Sequence, residues 1–445
     1  MRWGASEIAA AVGGIVEGDP DTEIRRATQD SREVDRDGEW LFVPLVAERD
    51  GHDFVPAAVE AGARVVLAAR PVDAGSATVV RVDDTGEALI ALGRASRTRL
   101  PLSTVIGITG SVGKTTTKDL AIAVFSQWGQ VQASVRSFNN EIGLPLTLVN
   151  TDETRADYVI LEMGARGMGH IRMLCGIGEP TIGIVTTVGS AHTSEFGSVE
   201  LVAEGKGELI ESLPAKGLAV LNADNPLVAA MASRTEARVV TFGAAGDVRA
   251  ENVELSDDLV PRFRLASDWG AVDVVLGARG IHLIDNALAA AAAALPTGLP
   301  PEAIAEGLAQ PVLSPMRMDL KRTASGARIL DDSYNANPMS VAAALRSLAA
   351  LSADRRRAVL GVMAELGDES ESAHLEMAEL ARSLGIDVIA VDALQYGPDV
   401  VHVGDHHDAA ERLGPPGPHD AVLVKGSRVA GLERLVATLT ADATD

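Results

Sequence analysis

One cysteine, Cys175, stands in 445 residues. No internal disulfide can form, a Cys-cluster metal site is excluded, and the count fits a reducing cytosol. Positive charge is scarce as well: 39 Lys and Arg face 62 Asp and Glu, a formal balance of −23. Such an acidic surface repels phosphate backbones and anionic headgroups, so neither nucleic acid nor stable membrane insertion is expected. Long apolar runs are missing too. The nearest, Ala287 to Leu295, falls far short of the ~18–20 residues of a membrane span. The first residues, Met1 to Glu7, lack the apolar core of a signal peptide. A soluble, cytoplasmic protein is the expectation.

What is present points to several folded units. Hydrophobic residues make up 47% of the chain, and at about 100–200 residues per domain the length predicts two to four domains. Residues 1–98 hold short apolar runs such as Trp40-Leu41-Phe42-Val43, with a helical pattern from Phe54 to Ala61 stopped by Gly62. They read as a small α/β unit. From 99 to 312 the alternation of apolar run, Gly-containing turn and helical pattern becomes regular. Val105-Ile106-Gly107-Ile108, Tyr158-Val159-Ile160-Leu161, Ile182-Gly183-Ile184-Val185 and Leu218-Ala219-Val220-Leu221 are continuous and apolar. Such runs suit strands buried on both faces of a mostly parallel sheet. A Pro-containing stretch, Pro311 to Pro315, reads as a linker. The alternation restarts in 313–445, predicting a C-terminal Rossmann-like domain. The expected fold is thus α/β in three domains.

The strongest chemical signal is Ile108-Thr109-Gly110-Ser111-Val112-Gly113-Lys114-Thr115-Thr116. It lies between an apolar run and a helical pattern ending near Trp128, the context that a phosphate loop requires. Its glycines let backbone N–H groups turn towards phosphate oxygens, and the helix N-terminus adds favourable potential. Lys114 would reach the terminal phosphates of ATP, and the Thr115 hydroxyl would ligate Mg²⁺. The loop is short: Ile108 stands where the general pattern has its first glycine. A second metal ligand is expected from a neighbouring strand end, and Glu162, which closes the run from Tyr158, is placed for it.

This shortened loop resembles that of the Mur ligases and folylpolyglutamate synthetases, which use ATP to make amide bonds. Ser137-Phe138-Asn139-Asn140-Glu141, Leu161-Glu162-Met163-Gly164-Ala165, Asn222-Ala223-Asp224-Asn225-Pro226, Asp331 to Pro338 and Val424-Lys425-Gly426-Ser427-Arg428 follow the Mur ligase pattern over essentially the whole chain. Within that family they are most similar to the member that adds a D-alanyl-D-alanine dipeptide. The resemblance implies ATP-dependent joining of D-alanyl-D-alanine to UDP-N-acetylmuramoyl-tripeptide, in a monomer, with the sugar nucleotide on 1–98, ATP on 99–312 and the dipeptide on 313–445.

Residue by residue, it implies that Gly110, Ser111, Val112, Gly113, Lys114, Thr115 and Thr116 hold the phosphates. Thr115, Glu162, His192 and Lys206 would surround the metal. Lys206 matches a lysine carbamylated in many Mur ligases, although composition alone makes it a solvated helix lysine. Asn286 matches an adenine contact, Arg317 a cation near the terminal phosphate, and Asp332 a ribose contact. Ser31 and Arg32 match the sugar-nucleotide domain, while Asn139, Asn140, Tyr334, Asn335, Asn337, Lys425, Ser427 and Arg428 are expected to face substrate. Ala364-Glu365-Leu366-Gly367 with His374 resembles another family loop, without an assigned role. Three positions depart from the pattern: Leu283 replaces Asn, Ser194 replaces an acid, and Val362 replaces another. Other readings are a ligase adding a different amine, a non-catalytic binder of UDP-muramoyl peptides, and a P-loop NTPase switch.

Overall fold

The computed structural model describes residues 1–135, 138–189 and 196–441. They form three α/β units in chain order. The first carries a five-stranded sheet in the order Ile15–Glu17, Thr78–Arg81, Ala63–Ala68, Trp40–Phe42, Arg26–Thr28. Its first strand is antiparallel to its neighbour and the rest are parallel. The helix Val55–Ala61 ends at Gly62, as the pattern predicts.

The central sheet has six strands, ordered Arg238–Phe242, Leu218–Asn222, Ile182–Val185, Thr104–Thr109, Tyr158–Glu162, Val131–Ala133. Every pair is parallel. The continuous apolar runs explain this: Val105, Ile106, Ile108, Val159, Ile160 and Ile184 are all fully buried, with helices covering both faces. One of these helices, Lys114–Phe125, stops short of the expected Trp128, in a turn where Trp128 and Gly129 N–H groups both bond the Phe125 carbonyl. The Ala-rich helix Leu283–Ala294 packs beside it, and its small side chains let the two helices approach closely.

One feature is absent from the sequence-based expectation. The strands Arg249–Leu255, Pro261–Ser267 and Gly270–Val275 form a separate antiparallel sheet that interrupts the βα alternation. Phe263 and Leu265 point inward while Arg262 and Arg264 are exposed, so the run is only half apolar and reads weakly.

The third unit orders its strands Asp319–Arg322, Arg328–Asp331, Asp420–Lys425, Arg355–Leu360, Asp387–Val391, Val401–Val403. Only the edge strand Asp319–Arg322 runs antiparallel. One apolar core, including Ile108, Val220, Leu330 and Leu423, is continuous through the second and third units. Another, including Trp3, Leu67, Leu92 and Val159, joins the first to the second.

A polar clamp reinforces the latter junction. The Ala27 N–H donates to Asn150 Oδ1 at 2.8 Å, and Asn150 Nδ2 donates to the Ala27 carbonyl at 2.9 Å. A side-chain amide thus imitates a neighbouring strand along the sheet edge Arg26–Thr28. Asn150→Ala leaves two backbone groups of a buried residue without partners, at a cost of about 1–3 kcal/mol. Amide exchange at Ala27 should accelerate while the central sheet keeps its protection; unchanged exchange at Ala27 would refute the clamp.

Candidate active site

In the central sheet the chain leaves Thr104–Thr109, builds two strands on one side, then crosses to Ile182–Val185 on the other. Loops leaving the carboxyl ends on either side of such a reversal diverge and open a crevice. The phosphate loop stands in it. Gly110 has φ +151° and Gly113 φ +87°, backbone shapes that L side chains rarely adopt. A Cβ on Gly110 would overlap the Thr186 hydroxyl, and one on Gly113 would overlap the Asn286 amide. The loop is therefore pressed between the Thr186–Gly189 segment and the Ala-rich helix. Ser111 N–H donates to the Thr187 carbonyl at 2.8 Å, and Thr186 Oγ1 donates to the Val112 carbonyl at 2.6 Å. Lys114 and Thr115 open the following helix, whose first N–H groups have no intrahelical acceptor. The Lys114 ammonium folds back to the Gly110 carbonyl at 2.7 Å.

The neighbouring strand supplies the carboxylate. Glu162 lies opposite Ile108 in the parallel ladder and is 1% exposed. It accepts from Thr115 Oγ1 at 2.9 Å and from Asn139 Nδ2 at 3.0 Å. Arg317 arrives from the connection into the third unit: its Nη2 donates to Thr115 Oγ1 at 3.0 Å, and its guanidinium lies 4.2 Å from the Tyr334 ring centroid. Met316 and Met318, on either side, both have positive φ (62° and 53°). This bend is held by Met318 N–H donating to Asp332 Oδ1 at 3.2 Å and by Tyr334 N–H donating to the Met316 carbonyl at 3.2 Å.

The third sheet presents its own carboxyl ends to the same space. Lys425 closes Asp420–Lys425, is 2% exposed, pairs closely with Asp332 and donates to the Asn335 carbonyl at 2.8 Å. Asn337 caps the helix Pro338–Ala350, accepting from Ser340 N–H at 2.9 Å. Asn140 accepts from Gly143 N–H at 2.9 Å at the start of Gly143–Val149. Ser427 Oγ accepts from Ala364 N–H at 2.9 Å, and the exposed Arg428 pairs with Glu433 at 3.1 Å. Asn286 donates to Thr117 Oγ1 at 2.9 Å and to the Gly113 carbonyl at 3.2 Å. Ser111 to Thr116, Asn139, Asn140, Glu162, Asn286, Arg317, Asp332, Tyr334, Asn335, Asn337, Lys425, Ser427 and Arg428 all line one cavity of about 590 Å³.

The comparisons with known proteins agree with this geometry. The Mur ligase middle domain matches residues 108–294, and the Mur ligase glutamate ligase domain matches 316–428. A UDP-N-acetylmuramoyl-tripeptide–D-alanyl-D-alanine ligase of Mycobacterium bovis is 40% identical, across 99% of this chain and 98% of its own length. The chain belongs to the Mur ligase family. The crystal structure of MurF from Acinetobacter baumannii superposes with a TM-score of 0.88 at 29% identity, covering 99% of both chains. That of the Thermotoga maritima MurF ligase in complex with ADP gives 0.81 at 28% identity, covering 94% of this chain and 97% of that one.

Not every expected residue of this Mur ligase meets at the cavity. Ser31 and Arg32 sit on the first unit, outside the lining, with Arg32 paired to Asp30 at 2.6 Å. His192 and Ser194 lie outside the described residues. Lys206 corrects the compositional reading: on the helix Val199–Glu211 it is 1% exposed, not solvated. Among the described residues no three His, Cys, Asp or Glu side chains converge as a metal cluster. Thr115 with Glu162 is the donor pair that the geometry supplies.

The sequence reading missed the supports. Asn222 Nδ2 donates to the Thr186 carbonyl at 2.9 Å, and Asn225 Nδ2 to the Val188 carbonyl at 2.8 Å. The Asn222-Ala223-Asp224-Asn225 segment therefore fixes the strand end that grips the phosphate loop. Phe242, His282, Asp285 and Glu365 also line the cavity. Electrostatics single out two lysines. Burial lowers the Lys114 pKa, opposed by Glu162 and Glu365 and reinforced by Arg317. Burial lowers Lys206 much further, with the charge of Lys114 adding to it. Burial also brings His282 down to about 4, leaving a neutral imidazole.

Proposed function

We propose that this Mur ligase joins D-alanyl-D-alanine to UDP-N-acetylmuramoyl-tripeptide, with ATP converted to ADP and phosphate. The observation that carries this reading is the 40% identity over 99% of the chain to a relative of that activity. The site geometry supports it by placing a phosphate loop and the loops of the third unit on one cavity. No helix among the described residues is long and apolar enough to cross a membrane. We further propose that the enzyme acts as a monomer on soluble precursors in the cytoplasm.

The chemistry follows from the carboxyl substrate. A carboxylate does not acylate an amine, because oxide would have to leave. Transfer of the γ-phosphoryl group of ATP to it creates a mixed anhydride; the amine attacks, a tetrahedral intermediate forms, and phosphate departs. Gly110 to Thr116 bind the phosphates, with Lys114 and Arg317 stabilising the charge that spreads over the transferring group. Asn286, Leu283 and Phe242 form the nucleotide end of the cavity, and Asp332 faces the ribose. Asn139, Asn140, Tyr334, Asn335, Asn337, Lys425, Ser427 and Arg428 order the acceptor side; Ser31 and Arg32 bind the sugar nucleotide. Holding the groups together can contribute effective molarities of roughly 10⁵ M or more.

The donor chemistry fits a hard cation. The Thr115 hydroxyl and Glu162 carboxylate, 2.9 Å apart, are oxygen ligands of the kind Mg²⁺ takes. When bound, the metal neutralises phosphate charge. A buried amine with a strongly lowered pKa is a neutral nucleophile able to add CO₂, so Lys206 fits a carbamate whose oxygens would face the metal with His192.

Phosphate release and pentapeptide formation with ATP, Mg²⁺ and UDP-N-acetylmuramoyl-tripeptide, with and without D-alanyl-D-alanine, test the reading. Release should depend on both acceptor substrates, with the dipeptide used and free amino acids refused. Release indifferent to both, without pentapeptide, would sink it in favour of an NTPase switch; product with single amino acids would favour another amine-adding ligase.

A further inference from the structure

Four carboxylates line the cavity among the described residues: Glu162, Asp285, Asp332 and Glu365. The first is bonded to Thr115 and Asn139, and Asp332 to Lys425. Asp285 belongs to the Ala-rich helix at the nucleotide end, beside Asp224. Glu365 stands on the loop after Arg355–Leu360, the strand paired with Asp420–Lys425.

That loop is built with care around an exposed side chain. Met363 N–H donates to His374 Nε2 at 2.9 Å, while His374 Nδ1 lies 2.6 Å from the Ser370 carbonyl, which fixes the imidazole as an Nδ1–H tautomer. Ala364 N–H donates to Ser427 Oγ, and Ser427 N–H returns a bond to the Val362 carbonyl, both at 2.9 Å. Tyr396 Oη donates to the Gly361 carbonyl at 3.1 Å. Immediately after these anchors Glu365 has φ +69°, a left-handed conformation unfavourable for a residue with a Cβ. Packing does not require it, since the side chain is exposed to the cavity. Strain held by such anchors is a mark of functional positions. The charge of Glu365 is also felt by Lys114 across the boundary between the units.

The hydroxyl of Ser427 that pins this loop is followed in the chain by Arg428. One hydrogen-bonded unit therefore presents a carboxylate and a guanidinium to the same cavity. An incoming dipeptide is a zwitterion that needs both. Resting on the ligase reading above, we propose that Glu365 receives the ammonium group of the incoming dipeptide and takes its proton, while Arg428 faces the dipeptide carboxylate. An α-ammonium group with a pKa of about 8 is mostly protonated at neutral pH and cannot attack until it loses that proton. With the proton on Glu365, the nitrogen lone pair forms the C–N bond to the acyl carbon. The C–O bond to the phosphoryl group then breaks, phosphate leaves with the electron pair, and it accepts the second proton shed by nitrogen. Glu365 returns its proton to solvent.

Hydroxylamine separates this role from the ATP half-reaction, because it is uncharged at neutral pH and traps an acyl phosphate as a hydroxamate. In Glu365→Gln, kcat/KM for D-alanyl-D-alanine should fall about 10²-fold. ATP-dependent hydroxamate formation from UDP-N-acetylmuramoyl-tripeptide, KM for ATP and the melting midpoint should stay at wild-type values. Glu365→Asp, which keeps the charge, should recover part of the dipeptide activity. Unchanged dipeptide kinetics in Glu365→Gln would overturn the proposal. So would a parallel loss of hydroxamate, which would assign Glu365 to Lys114 and the phosphates. Absence of hydroxamate with the wild-type enzyme would instead remove the ligase reading itself, and this proposal with it.

Discussion

Lys114→Ala should lower pentapeptide formation by about 10³-fold or more, the scale of losing a preorganised charge aimed at a developing anion. The same substitution should not lower the melting midpoint. Lys114 is half-buried, and the loss of water around it depresses its pKa, so the folded protein bears a desolvation cost at this position that alanine relieves. Its ammonium makes a 2.7 Å bond to the Gly110 carbonyl, but the loop is also held by the Thr186 and Thr187 contacts, which remain. Nucleotide affinity should survive in weakened form, because backbone N–H groups and the helix terminus still face the phosphates. Arginine should not rescue turnover: a planar fork cannot reproduce a compact point charge in a loop where Gly110 and Gly113 admit no extra atom. Full turnover in a folded Lys114→Ala protein would remove the phosphate-loop assignment. Isothermal titration with ADP beside a phosphate-release assay gives both halves of this result.

The chain's charge is locally inverted where this prediction acts. Against an overall balance of −23, the cavity is lined among the described residues by five cations, Lys114, Arg166, Arg317, Lys425 and Arg428, and four carboxylates. Both proposed substrates of the phosphoryl step are anionic, so their binding rests on these few groups and on the loop N–H dipoles.

How far the sequence could reach depended on whether a residue's role was local. The strands of the central sheet were legible because burial on both faces demands uninterrupted apolar runs, as in Val105 to Ile108. The phosphate loop was legible because its function needs glycines and a lysine at fixed spacing. The antiparallel sheet from Arg249 to Val275 was not, because one solvated face dilutes the apolar signal with Arg262 and Arg264. Nor was the tertiary reason for the two loop glycines. Gly113 is constrained by Asn286, and Gly110 by Thr186, partners far away in the chain. Asn337 and Asn140 were expected to face substrate, and they do line the cavity, yet each also holds a helix start that local sequence could have predicted. Lysine 206 was misjudged by composition for a physical reason: the helix that carries it looks amphipathic, and no local feature shows which polar residue has been turned inward.

Replacing Lys206 should separate stability from activity in opposite directions. The folded-state pKa lies well below the ordinary lysine value, with burial the larger cause and Lys114 the smaller. At neutral pH the unfolded chain therefore binds a proton that the folded chain holds more weakly, and stability rises with pH through that interval. In bicarbonate-free buffer Lys206→Met should melt higher than wild type at neutral pH. The advantage should shrink as pH climbs towards the unfolded lysine value, where neither state keeps the proton. Ligase activity should fall by about 10²-fold or more, the scale of disturbing a ligand and its orientation at a metal site. Lys206→Ala leaves room for a small molecule, so acetate or propionate should restore part of its turnover by supplying the anionic oxygens of the proposed carbamate. A Lys206→Met protein that melts lower than wild type, together with an alanine variant indifferent to carboxylates, would make Lys206 a packing residue. A protein that gains stability on losing this lysine, and loses its chemistry with it, has kept a buried amine for what it does.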